Sequence, residues 1–177
     1  MAPAPVGESR GGSGPVRAIE RFVDWVGRAT SWLALAIVLL MATNVVLRYL
    51  FSYGSVWAQE LEWHLLTPLI MFAVAYAYLK GDLVRVDVLY DGFSPRVKAA
   101  VNLASAILCL AIAVIVFYYS VKYVEQSYSI NEQSSDPGGL THRWVLKAMI
   151  PLGFVLLALQ SVAEMAKSWI AFRGAAR

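Results

Sequence analysis

From Ala99 to Val121 the chain runs for 23 residues without a charged side chain. A helix of that length spans the roughly 30 Å hydrocarbon core of a bilayer, where the backbone must satisfy its own hydrogen bonds. Three further stretches have the same character. Thr30 to Leu47 gives 18 uncharged residues, Leu65 to Leu79 gives 15 behind a short polar entry, and an apolar run follows Trp144. The expected fold is therefore an all-α membrane protein with spans at about 29–49, 57–79, 97–122 and 144–172. Together these make a single domain over 16–177 and leave no room for a soluble catalytic domain. The composition agrees, with 59% hydrophobic and 15% charged residues, against about 45–50% and 25% in an average soluble domain.

Residues 1–15 are rich in Pro, Gly, Ala and Ser and read as a disordered tail. From Val16 a helical period sets in: Ile19, Phe22, Val23 and Val26 share one face, and Arg17, Arg21, Asp24 and Arg28 the other. This predicts an amphipathic helix at the membrane surface, ahead of the first span. The first span is longer than a signal-peptide core and ends in Arg48-Tyr49 rather than a small-x-small cleavage site, so it is expected to stay attached.

Between spans, Ser52 to Ser55 forms a turn, and Lys80-Gly81-Asp82 closes the second helix. VRVDVLY alternates with period two, which predicts an extended or interface-lying segment. Ser94-Pro95 announces the third helix and Asp136-Pro137-Gly138-Gly139 is a turn. Pro68 and Pro151 are expected as tolerated kinks. In the third span Ser105, Cys109 and Ala113 recur every four residues and form a ridge over which a helix can approach closely. The single cysteine reads as a packing residue.

The net charge of +3 lies beside the spans, which favours lipid headgroups over nucleic acid. With the N-terminus inside, eleven Lys and Arg fall on the cytoplasmic side and four, Arg48, Lys122, Arg143 and Lys147, outside. Both termini are thus expected in the cytoplasm.

Glu60, Glu62 and His64 sit at the outer mouth of the second span. Glu60 and His64 share a helical face, but two ligands do not make a metal site. A haem held by His64 and the other histidine, His142, is the geometric alternative, which would make the chain a haem- or quinone-linked anchor of a redox complex. An ion pump or drug exporter would want ionisable groups at the bilayer midplane, and the spans have none there. Pairing remains: Arg48 with Glu60 across the first hairpin, Asp87 with Arg85 or Lys80 on the inner side, and Asn44 bonding across helices.

Arg48-Tyr49-x-Phe51, Trp57-x-x-Glu60-Leu61 and Lys80-Gly81-Asp82-x-Val84-Arg85-Val86-Asp87 resemble the signature of the small, DctQ-like membrane subunit of tripartite ATP-independent periplasmic (TRAP) transporters. Glu132-x-x-Ser135-x-Pro137-Gly138-Gly139-Leu140 with Arg143-Trp144 and Lys147 resembles one branch of that family. Leu83 stands where members often carry histidine. The resemblance covers residues 19 to 172. It implies a non-enzymatic inner-membrane scaffold for a large transport subunit, with a periplasmic binding protein delivering an organic acid. Sodium coupling belongs to the large subunit, and this chain has no cofactor of its own. Arg48, Trp57, Glu60, Asp87 and the Ser105/Cys109/Ala113 ridge are the assembly candidates. Glu132, Asp136, Arg143 and Lys147 are the candidates for a periplasmic docking surface.

Overall fold

A computed structural model describes residues 14–82, 90 and 92–174. Four helices make up this part: α1 (Gly14–Phe51), α2 (Val56–Lys80), α3 (Pro95–Ser129) and α4 (Arg143–Gly174). No strand occurs among the described residues. Three helices, α1, α3 and α4, are long and apolar enough to cross a membrane. α2, at 25 residues, is diluted by Glu60, Glu62, His64 and Thr67.

The amphipathic segment and the first span are one object. α1 runs unbroken for 38 residues, about 57 Å at helical rise, so residues 16–28 continue the axis of the span instead of turning away as a separate element. Nothing between Arg28 and Thr30 breaks the helix, since Ala29 is among the best helix formers. Within that segment Val23 is buried and Ile19 and Val26 pack beside it, while Phe22 faces outward.

Local signals set the helix ends. Gly81 adopts the left-handed conformation at φ 75°, its N–H donating to the carbonyl of Tyr78, and the Asp82 N–H reaches Ala77 at 3.0 Å. This double closure is the Schellman arrangement that glycine permits. Ser94 caps α3 by accepting from the Val97 N–H, with Pro95 in the first turn. α3 continues to Ser129, two turns beyond its expected end near 122. The alternating VRVDVLY segment lies outside the described residues except for Tyr90, and Asp87 with it. Residues 1–13 of the tail also lie outside them.

α4 is the hub, packing against α3 on one side and against the α1–α2 pair on the other. Glycines allow the close crossings. A Cβ on Gly153 would lie 2.7 Å from the Cβ of Met71 and 3.0 Å from its carbonyl oxygen, so α4 meets the backbone of α2 there. A Cβ on Gly27 would come 2.8 Å from that of Tyr76, where α1 crosses α2.

α3 meets α4 through a stripe the sequence reading missed. Its buried residues are Ala99, Ala106, Ala113, Ser120 and Ser127, one every seven positions. Of the expected ridge, Ala113 is fully buried, Cys109 packs against the core and Ser105 is exposed. The reason is angular: four residues advance a helix by about 400°, so the every-fourth series walks off the contact face, whereas seven residues return to within about 20°. A seven-residue stripe is the mark of left-handed, coiled-coil-like packing.

Most of the apolar surface points away from the bundle. Trp32, Leu39, Leu108, Ile112 and Ile115 are all more than half exposed. Such a continuous exposed surface fits a lipid or partner-protein environment and not water.

Candidate functional site

Ionic contacts gather at the two ends of the bundle. At the end where α1 begins and α4 finishes, Lys167 on α4 donates to Glu20 on α1 at 2.7 Å and to Glu164 one turn back at 2.6 Å. Lys80, the last residue of α2, reaches Asp24 on α1 at 2.7 Å, and Arg28 shares that carboxylate at 2.6 Å. Lys80 is thus engaged with α1, whereas the sequence reading offered it Asp87.

The opposite end is built around Glu60. Its residue is 5% exposed, and its carboxylate accepts hydrogen bonds from the Ser134 hydroxyl and from the Leu140 N–H at 2.5 Å. Both donors come from the loop joining α3 to α4. The loop is folded tightly enough to present them: the Ser134 N–H donates to the Leu140 carbonyl at 3.1 Å, and the Arg143 N–H to the Glu132 carbonyl at 3.2 Å. At its tip the Gly139 N–H donates to the Asp136 carbonyl at 3.0 Å, with Gly138 at φ 81°. Pro137 followed by a positive-φ glycine is the signature of a type II turn. A Cβ on Gly139 would stand 2.6 Å from the Ser134 Cβ and 2.7 Å from Glu60 Oε2, so only glycine lets the loop settle on the carboxylate.

Arg48 takes no part in this. It is exposed, and it makes no ion pair among the described residues. The expected Arg48–Glu60 pair is replaced by loop donors because Glu60 lies against the α3–α4 loop, while Glu62, about 200° around α2, is the carboxylate that meets α1. Trp57, three residues back, is half exposed. Glu62 and His64 are both engaged. Asn44 on α1 donates to Glu62 at 2.6 Å, the cross-helix bond its position suggested. His64 Nδ1 lies 2.8 Å from the Glu60 carbonyl, an acceptor only, so Nδ1 carries the proton. Its Nε2 is buried without a partner. His142 is an exposed residue hydrogen-bonded to Thr141, and no contact joins the two histidines.

Three of the four expected outward residues converge. Lys147 donates to Glu132 with its side chain 14% exposed, and it lies 4.0 Å from the centroid of the Tyr123 ring. The Lys147 ammonium holds the Glu132 carboxyl below the usual carboxylate range. The Arg143 guanidinium lies over the Trp63 ring, 5.3 Å from its centroid. Arg143, Lys147 and Glu132 line a cleft of about 280 Å³ with Thr67, Tyr123, Leu146 and Ile150. Asp136 stands apart, exposed at the turn, where its backbone carbonyl closes the loop. Sequence reasoning missed Ser134, the Leu140 N–H and Trp63 as partners. The available signal was the Pro-Gly-Gly turn, whose second glycine has no use except close approach.

Among the described residues no group of three or more His, Cys, Asp or Glu side chains could hold a metal. The fold and site define a helical membrane protein that is polar at its ends, with one end organised as a rigid corner. The chain belongs to the DctQ family, the DctQ component of tripartite ATP-independent periplasmic transporters, whose family model matches residues 37–171. That range takes in α2 and α3 whole, nearly all of α4 and the C-terminal part of α1, so the resemblance carried by the motifs holds. The protein is a small-subunit component of a transporter, not an enzyme, and its family works with a large membrane subunit and a periplasmic binding protein. The redox-anchor alternative finds no support. A comparison with curated proteins returns no match.

Proposed function

We propose that this chain is the scaffold of a sodium-driven, binding-protein-dependent uptake system for carboxylate-bearing solutes. In this reading α2 is the fourth span, both termini are cytoplasmic, and the Glu60 corner faces the periplasm. The bias of eleven Lys and Arg against four supports the orientation. The sodium and substrate sites belong to the large subunit. The exposed apolar faces of α1 and α3 supply the surface on which that subunit and lipid are accommodated, and Arg48, Trp57, Asp87 and the Ser105/Cys109/Ala113 series contribute to assembly. Glu132, Asp136, Arg143 and Lys147 form part of the surface on which the binding protein docks.

One observation carries this reading. The α3–α4 loop is pinned at Glu60 by two hydrogen bonds and braced by the Glu132–Lys147 pair, which is the rigidity a docking platform needs and a lipid-facing linker does not. The test is binding of the periplasmic protein to the assembled membrane complex in nanodiscs. Reversing charge at Asp136 and Arg143 together should weaken binding while leaving the complex intact; unchanged binding would remove the docking role.

A further inference from the structure

We infer that the cleft between Arg143 and Ile150 is a site for the phosphate group of a phospholipid. Three observations combine. Arg143 makes neither an ion pair nor a side-chain hydrogen bond among the described residues, and its guanidinium carbon lies 5.3 Å from the centroid of the Trp63 ring. The N–H groups in its plane therefore remain available, and that fork matches two phosphate oxygens. Lys147 and Glu132 neutralise one another, so Arg143 is the unpaired charge of the cleft lining, the complement of a phosphodiester, while the nearby Glu60 carboxylate is held by its own loop donors. The lining also changes character with depth: Arg143 opens α4, whereas Leu146 and Ile150 lie one and two turns further in. At about 5.4 Å per turn, this follows the passage from headgroup to glycerol to acyl chain. Three elements and a loop meet here, Thr67 from α2 and Tyr123 from α3 closing the sides. The site requires only that α4 begins at a face of the bilayer. It does not depend on which face, nor on the proposed docking role.

Native mass spectrometry of the purified full-length chain in detergent tests the assignment, with dioleoylphosphatidylglycerol, dioleoylglycerol and inorganic phosphate as separate probes. The expected result is one retained phosphatidylglycerol per chain and no comparable retention of dioleoylglycerol. Arg143→Gln should weaken retention by about tenfold, the worth of a charge-assisted bidentate contact. Ile150→Trp, which fills the floor without touching a charge, should weaken it too. Lys122→Gln, whose cation sits over Tyr118 outside the cleft, should change nothing. Unaltered lipid retention by a folded Arg143→Gln chain, or equal retention of dioleoylglycerol, overturns the inference. Stabilisation by inorganic phosphate without lipid retention overturns the lipid assignment, leaving an anion site supplied from solution.

Discussion

Glu60, in the second turn of α2, accepts the backbone N–H of Leu140, eighty residues further along the chain, at 2.5 Å. The bond joins the first helical hairpin to the second, and it depends on a charged acceptor that is almost wholly covered. Replacing it with Gln leaves one oxygen and puts an NH₂ group against a donor. Glu60→Gln should therefore loosen the 130–142 loop without unfolding the helices. Hydrogen exchange at the Leu140 amide should accelerate on the order of tenfold, while amides in the middle of α3 keep their protection.

Gly139 gives a second, independent view of the same corner. Gly139→Ala adds a methyl within 2.7 Å of Glu60 Oε2, so the loop must lift. The same exchange measurement should report a similar loss at Leu140, and combining Gly139→Ala with Glu60→Gln should add little beyond either alone. Full additivity would mean that the two residues do not act on one contact.

Gly153→Ala should destabilise the bundle by about 1–3 kcal/mol, the usual cost of overpacking, because the obstacle is the backbone of Met71, at 3.0 Å, rather than a flexible side-chain tip. Thermal unfolding in detergent measures it. By contrast, Ser105→Ala should be neutral, since Ser105 is exposed.

Lys167→Met leaves Glu20 and Glu164 facing each other without their shared cation. A loss of about 1–3 kcal/mol is expected, with partial recovery when Glu20→Gln is added. If the double variant is as unstable as the single one, the contribution of Lys167 is packing of its methylenes, not charge.

Glu132 sets a pH dependence with a definite sign. Its folded-state carboxyl lies below the ordinary range because of Lys147. The stability it contributes is fully present above the ordinary carboxylate value and disappears as pH falls through the lower, folded-state value. Stability should thus be insensitive to this group from pH ~7 to ~5 and decline below. Glu132→Gln should be less stable at neutral pH and show a shallower acid decline.

The helices were legible because their signals are local: uncharged runs, a Ser-Pro start, a Lys-Gly stop. The wiring between them was not. Glu60 and Arg48 are twelve residues apart and bracket a turn, so a sequence reading pairs them; the true donors lie in a loop whose position depends on how α4 packs. The every-fourth series departs from the α3–α4 contact face for a related reason, since a seven-residue period stays on one face of a long helix and a four-residue one does not. Glu132, Arg143 and Lys147 were legible as a group because a capped loop and the first turn of a helix must be neighbours. Ser134 was not, because its role exists only where Gly139 admits the Glu60 carboxylate.

Sodium-dependent uptake in proteoliposomes tests the scaffold role, with the large membrane subunit, the binding protein and this chain added singly and together. Uptake should appear only when all three are present, with none from this chain alone. Solute flux through this chain by itself, or full uptake from the other two without it, would contradict the scaffold role.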